Sequence, residues 1–322
     1  MEERAGVVLP PGPAGRDRPR MDPPNVLWFF GAFAISFGVE ALLSTIPTSH
    51  RSVWVFIAAV GFFVAFAVAS WALLQARWWV PGGLAAALAV SMVPPVSVFF
   101  LKLIGVWPEH LNHPFSGFSG YTFGVALVTA VAGLVAVALT RFSFIFAVVV
   151  GAILAASQLL VAAFESPSAD DRATMALVAG SLLVIVGVFM DAFARRRDAF
   201  WFHVLGWLSI AAGLVFFAVD PNGDPERGWI PMLIVGVLML IVAGPIRRAT
   251  WAVYGVLGYY APVLHYMING LNEQRWPFAL LLLAVGLSIF LLGMLLHRYG
   301  QLWAERFVRR PPPAAMPPQA VP

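Results

Sequence analysis

One acidic residue lies within a long apolar stretch, where a carboxylate is costly. Glu40 is embedded in the run Ser36–Leu43. An ionised side chain in hydrocarbon usually faces a bundle interior, a cavity or a partner. The position therefore indicates either a proton- or cation-coupling carboxylate, or a structural glutamate that is neutral or paired. We expect Glu40 to face the bundle interior and to lie close to Lys102 or His265.

Lys102 is the only lysine of the chain, and it lies near the end of a later apolar stretch. It is a candidate partner for Glu40, because both residues fall in the outer half of the membrane if the N-terminus is inside. The alternative is that its long side chain extends to the lipid headgroups.

Two adjacent prolines interrupt the third apolar stretch. Pro94 and Pro95 each remove a backbone donor, so they predict a kinked or broken helix. Broken helices at mid-membrane depth often line substrate sites, because the freed carbonyl groups need partners. The alternative is a kink that serves packing alone.

The stretch 250–268 is the most polar and aromatic of the apolar stretches. It holds His265 and the tyrosines Tyr254, Tyr259, Tyr260 and Tyr266. Such a helix is typical of a solute pathway, or equally of the membrane interface, where Tyr and His are comfortable.

Metal and catalytic motifs are weak in this sequence. Glu109, His110 and His113 lie close together, but two histidines without a clear third ligand do not make a zinc site. The chain has no cysteine, which excludes disulfides and cysteine chemistry. Nucleotide-binding loops, nucleophile elbows and paired intramembrane aspartates are also missing. We predict no metal, no cofactor and no catalytic residue.

Composition points to a membrane protein. Hydrophobic residues make up 60% of the 322 residues and charged residues 11%, against roughly 25% charged in soluble domains. The pI of 9.8 is not a nucleic-acid signal, because the basic residues form short clusters between apolar stretches instead of a continuous patch. We expect the lipid bilayer as the main partner and no nucleic acid.

The apolar stretches predict an all-α bundle of about ten transmembrane helices, since roughly 20 residues span the hydrocarbon core. The predicted spans are 26–46, 53–74, 83–106, 122–140, 142–164, 175–193, 201–219, 229–246, 250–268 and 277–297. Tryptophans at predicted span ends agree with an interfacial belt; they are Trp78, Trp79, Trp107, Trp201, Trp229, Trp251 and Trp276.

Charge distribution predicts the orientation. With the N-terminus inside, the inner segments hold 15 of the 20 Lys and Arg residues and the outer loops hold 5. Basic residues concentrate in cytoplasmic loops, so both ends are expected in the cytoplasm, most naturally of a bacterial inner membrane. Residues 1–24 and the proline-rich residues 301–322 are predicted to be disordered cytoplasmic tails around a transmembrane domain, 25–300. Met21 is an alternative start.

The last third of the chain, from about Asp198 to Phe307, resembles a family of uncharacterised polytopic membrane proteins, mostly bacterial. The residues that carry the resemblance are Phe200-Trp201-Phe202-His203, Gly206, Arg247-Arg248, Tyr254-Gly255-Val256-Leu257-Gly258-Tyr259, Pro277-Phe278-Ala279-Leu280, Gly286, Gly293 and Arg298. The family has no established activity, so the resemblance implies a membrane protein and no chemistry.

These observations favour a small-solute transporter or permease. The alternative is a non-enzymatic membrane scaffold or accessory subunit, whose polar residues only fix packing. A membrane enzyme that acts on lipids through the histidine loop is the third hypothesis.

Overall fold

The computed structural model describes residues 23–46, 51–107, 120–163, 168–219, 224–246 and 248–270, with scattered positions between 280 and 294. Helices are the regular elements of these ranges; they are α1 Pro23–Ser44, α2 Arg51–Gln75, α3 Trp79–Ser91, α4 Val93–Leu103, α5 Gly120–Thr140, α6 Ile145–Val161, α7 Ala169–Ala192, α8 Arg196–Val219, α9 Glu226–Ile246 and α10 Ala249–Gly270.

Seven helical stretches are long and apolar enough to cross a membrane, α3 and α4 counting together as one. The predicted all-α class is therefore confirmed, and the long apolar helices are compatible with a membrane bundle. α6 is apolar but has only 17 residues, so it is shorter than the expected span 142–164. The expected tails and most of the stretch 277–297 lie outside the described residues.

Three hairpins turn at a residue other than glycine in the left-handed region. The residues are Arg77, Arg141 and Ala194, with φ of 64°, 55° and 60°. After α7, the amide of Ala194 donates to the carbonyl of Asp191, and the amide of Arg195 donates to that of Met190. These bonds satisfy the last carbonyl groups of the helix. Arg141 lies between α5 and α6, at the point where the two predicted spans 122–140 and 142–164 almost touch.

The chain forms two compact units. The first comprises Met1–Asn112 and Gly120–Ala152, and the second comprises His113–Ser119 and Ile153–Pro322. In the first unit the buried residues Ala86, Ala87, Val90 and Ile145 form a core. Phe29 of α1 packs edge-on against Phe144, with ring centroids 5.2 Å apart.

In the second unit, glycines allow backbones to approach closely. A Cβ at Gly180 of α7 would lie 2.6 Å from the carbonyl oxygen of Gly206 in α8. A Cβ at Gly236 of α9 would lie 2.5 Å from the backbone of Gly258 in α10. Small residues at such crossings are typical of helix packing in membranes, where the hydrophobic effect does not hold helices together.

Candidate functional site

Glu40 does not lie where we expected. Its side chain is exposed on α1, so the prediction that it faces the interior is wrong. Both Glu40 and Lys102 are described, and no ion pair joins them. The ammonium group of Lys102 lies instead over the rings of Phe99 and Trp107, 5.1 and 5.9 Å from their centroids.

Depth explains why Glu40 and Lys102 do not meet. Trp28 at the start of α1 packs against Trp78 at the start of α3, with ring centroids 6.2 Å apart. At 1.5 Å per residue, Glu40 lies roughly 18 Å along from that level and Lys102 roughly 36 Å. Lys102 is therefore close to the end of the α3–α4 stretch, whereas Glu40 lies four residues before the end of α1.

Pro94 and Pro95 lie in the first turn of α4. The helix α3 ends at Ser91, and Met92 separates it from α4. The predicted break is therefore present, although Met92 keeps a right-handed backbone with φ −82° and ψ −11°. Because a proline has no amide hydrogen, the carbonyl groups one turn earlier, on Val90 and Ser91, lose their usual donors. A backbone amide at the end of α3 donates to the carbonyl of Val90 instead.

His265 stacks on Trp229, with ring centroids 4.3 Å apart. Asn269, one turn later in α10, lies 3.0 Å from His265 Nε2. The helix continues through Pro262, whose side chain is fully buried. His110 and His113 lie outside the described residues, within which no group of three or more His, Asp or Glu side chains is placed to bind a metal.

The densest polar cluster lies elsewhere, where α7 ends and α10 begins. Asp191 and Arg248 form a two-pronged ion pair: Nε donates to Oδ2 across 3.0 Å, and Nη2 donates to Oδ1. Arg248 Nη2 also donates to the carbonyl of Arg196, at the start of α8, across 2.8 Å. The side chain of Arg248 is only 12% exposed and that of Asp191 only 16%. One guanidinium thus joins three helices.

His203 completes this cluster from α8. The side chain is fully buried, and its Nε2 lies 3.0 Å from Asp191 Oδ2. Trp251 Nε1 donates to His203 Nδ1 across 3.2 Å. Because an indole nitrogen only donates, Nδ1 accepts, and the proton of the neutral ring resides on Nε2 and is donated to Asp191.

The sequence makes room for this imidazole. A Cβ at Gly187 of α7, one turn before Asp191, would lie 3.0 Å from the ring of His203. Trp251 packs edge-on against the imidazole, with ring centroids 5.7 Å apart, and edge-on against Trp207, with centroids 5.1 Å apart. Tyr254, one turn further along α10, donates to the carbonyl of Val204 across 3.1 Å.

The cluster is electrically balanced. Asp191 carries one negative charge, Arg248 carries one positive charge, and His203 is neutral in the tautomer that its neighbours require. A second proton on His203 would leave one uncompensated positive charge in a buried site. It would also turn Nδ1 into a donor that faces the N–H of Trp251. This arrangement is therefore able to respond to a proton.

Sequence reasoning did not single out this cluster. Apart from the family resemblance, Arg248 was predicted only as a cytoplasmic charge, and Trp251 was predicted only as an interfacial aromatic; the structure buries Trp251 to 8% exposure. Two signals were present. Asp191 and His203 flank a short turn between two spans, and His203, Arg248 and Tyr254 all belong to the residues that carry the family resemblance.

Comparisons with known proteins add no further guide, since the chain matches no protein-family model, no curated protein and no solved structure.

Proposed function

We propose that this protein is a transporter or permease for a small solute, in which the cluster of Asp191, Arg248 and His203 closes one end of the second unit. The observation that carries the proposal is the fully buried, neutral His203 held between an acid and an indole donor. Ionisable residues within membrane spans usually mark ion or substrate pathways. Here a second proton on the imidazole would remove the hydrogen bond from Trp251 and disrupt the cluster.

The proposed cycle uses the residues of the cluster alone. Uptake of a proton by His203 removes the Trp251 bond and adds a charge beside Arg248. The start of α10 then separates from the ends of α7 and α8, because Asp191, the acid of the cluster, cannot balance two cations. Loss of the proton restores the closed arrangement. Arg195 and Asp198 form a more exposed pair nearby, 3.7 Å apart.

The topology belongs to the same proposal. We propose ten spans with both termini in the cytoplasm of a bacterial inner membrane, supported by the 15-to-5 distribution of Lys and Arg. The cluster then lies at the cytoplasmic end of its helices. We also propose kinship with the bacterial polytopic family whose pattern includes His203, Arg248 and Tyr254.

Cysteine accessibility tests the opening directly, since the chain has no native cysteine. Ala199 is fully buried one turn before His203. Because maleimide reacts with the thiolate, the labelling rate of Ala199→Cys is expressed relative to that of the unfolded variant at the same pH; this ratio should be low at pH 8 and much higher at pH 5. In Ala199→Cys with His203→Gln, a neutral side chain that keeps an amide donor, labelling should stay slow at both pH values. Ala173→Cys, equally buried at the other end of α7, is the control.

Transport is tested without knowing the solute. Proteoliposomes that enclose a pH-sensitive dye are challenged with panels of amino acids, sugars, nucleosides, organic acids and amines. Solute-dependent proton flux that His203→Gln abolishes supports the proposal. No flux with any panel, together with pH-independent labelling of Ala199→Cys, contradicts it.

The second candidate function is a membrane scaffold or accessory subunit. The pairing of the polar groups in the cluster favours a scaffold. Both carboxylate oxygens of Asp191, both imidazole nitrogens of His203 and the guanidinium of Arg248 have hydrogen-bonding partners. A permanent clasp of this kind would hold three helices together without opening. The labelling experiment separates the two functions, because a permanent clasp protects Ala199→Cys at pH 5 as well as at pH 8.

A further inference from the structure

The segment that joins α7 to the first turn of α8 carries more positive charge than the other short hairpin turns. Arg195, Arg196 and Arg197 follow one another there, and the side chains of all three are exposed. The turns at Arg77 and Arg141 hold one basic residue each. A single arginine is enough to mark those turns as cytoplasmic, so the additional charges of this segment require another explanation.

Two of the three arginines have no acidic partner among the described residues. The ion pair of this segment joins Arg195 to Asp198 across 3.7 Å. Asp191 is already occupied by the buried cluster described above. No described carboxylate pairs with Arg196 or Arg197, which therefore leave two uncompensated positive charges on the surface.

The lengths of the two helices set the level of these arginines in a bilayer. α7 and α8 have 24 residues each, which corresponds to roughly 36 Å at 1.5 Å per residue. The hydrocarbon core of a bilayer is about 30 Å thick. A short connection between two helices of this length lies just outside the hydrocarbon, at the level of the lipid headgroups.

The arginines stand at the head of an apolar stripe on the exposed face of α8. At 100° per residue, Phe200, Val204 and Leu208 lie within about 60° of Arg197 around the helix. Phe200 and Leu208 are exposed, and Val204 is half-buried. From Arg197 to Leu208 the stripe extends roughly 16 Å along the helix. Its length therefore matches one leaflet of the hydrocarbon core, which is about 15 Å thick.

We propose that this surface binds an anionic phospholipid, with the phosphate held by Arg196 and Arg197 and an acyl chain along Phe200, Val204 and Leu208. Arginine donates two parallel N–H bonds to a phosphate group, and basic clusters beside a membrane span attract anionic lipids. A zwitterionic lipid brings an ammonium group of its own, so it does not neutralise the two charges. A soluble phosphate ion does not use the apolar stripe, whereas a lipid contacts the arginines and the stripe together.

Fluorescence quenching by labelled lipids tests the site in the complete chain. The chain has no native cysteine, so Leu208→Cys carries a single bimane fluorophore on the stripe after reconstitution in phosphatidylcholine vesicles. A minor fraction of nitroxide-labelled phosphatidylglycerol should quench it more strongly than the same fraction of nitroxide-labelled phosphatidylcholine.

The matched control for this reporter is Leu182→Cys. Leu182 is 59% exposed at a similar depth of α7, and it lies roughly 200° around that helix from Gly180, which contacts α8. The two labelled lipids should quench a fluorophore at this position equally, because it is remote from the stripe.

Substitution of the arginines tests the headgroup contact. In the Leu208→Cys background, Arg196→Gln and Arg197→Gln should each lower the preference for phosphatidylglycerol by up to about five-fold, the effect of removing one cation beside an anionic lipid. Arg196→Lys keeps the charge and should retain most of the preference. Arg227→Gln removes one exposed charge at the other end of the unit and should leave it unchanged. Thermal unfolding in detergent verifies that each variant is folded.

The proposal is overturned by equal quenching of Leu208→Cys by the two lipids. It is also overturned by a preference that persists in a folded double variant, Arg196→Gln with Arg197→Gln, or that is equally strong at Leu182→Cys, since either result indicates attraction to the protein as a whole. Inorganic phosphate at constant ionic strength should have no effect. If it abolishes the preference, the arginines bind a soluble anion and the lipid site is refuted.

Discussion

Trp251 donates its indole N–H to Nδ1 of His203, and this one bond dictates where the imidazole proton resides. We predict that Trp251→Phe, which keeps the ring and removes the donor, leaves Nδ1 buried and unsatisfied. The expected loss is about 1–3 kcal/mol of unfolding free energy. Chemical or thermal unfolding in detergent measures it. Trp71→Phe, at a tryptophan that is 66% exposed, should be neutral. Equal stability of both variants would refute a structural role for the bond.

The ion pair between Asp191 and Arg248 should show strong coupling. Asp191→Asn or Arg248→Met alone leaves a buried charge without its partner, which costs about 3–5 kcal/mol. The double variant removes both charges, so its loss should be well below the sum of the two single losses. A double-mutant cycle by unfolding in detergent measures the difference. Strict additivity would mean that the two residues do not interact in the membrane-embedded protein.

Gly187 is predicted to be essential for the position of His203. The Cβ of Gly187→Ala would lie 3.0 Å from the imidazole, so either the ring or α7 must shift. Overpacking of this kind costs about 1–3 kcal/mol, and labelling of Ala199→Cys at pH 8 should rise as the cluster loosens. Gly151→Ala is the control, since its Cβ would meet nothing within 4 Å. An unaltered Gly187→Ala variant would argue against tight packing here.

Topology is open to a paired labelling experiment. Arg195 lies after α7 with a side chain that is 66% exposed, and Thr45 directly follows α1. With both termini in the cytoplasm, an impermeant maleimide should label Thr45→Cys in intact cells and Arg195→Cys only in inverted vesicles. The opposite pattern would reverse the orientation, and a reporter active outside the cytoplasm should be silent at residue 315.

The histidine loop is predicted to hold no metal, because His110 and His113 lack evident further ligands. Purified protein should contain far less than one zinc per chain by elemental analysis. Stoichiometric zinc that is lost when both histidines are replaced by alanine would contradict this prediction.

The helices were predictable because each apolar run is long enough to bury its own backbone hydrogen bonds. The turn at Arg141 was predictable from a single charge between two runs. Interactions across the fold were not. Asp191 and Arg248 are 57 positions apart, and nothing in the local pattern of either residue indicates the other.

The level of a residue relative to the neighbouring helices was the second property that the sequence did not predict. The level of Glu40 depends on where α1 starts relative to its neighbours, and the contact between Trp28 and Trp78 sets that level. The aromatic belt misled in a similar way. Trp78 and Trp79 are exposed, as interfacial residues should be, whereas Trp251 is buried against His203. Composition alone does not distinguish the two environments.

The glycine crossings of the second unit have a mechanical consequence. The backbones of α7 and α8 are in contact at Gly180 and Gly206, so neither helix can slide or tilt against the other without a steric clash. The two helices must therefore move as one rigid pair. The contact between Gly236 and Gly258 does the same for α9 and α10. Movement within this unit is therefore confined to the interface between the α7–α8 pair and the α9–α10 pair. Asp170 of α7 and Arg227 of α9, 3.2 Å apart, join the two helix pairs at the end remote from His203.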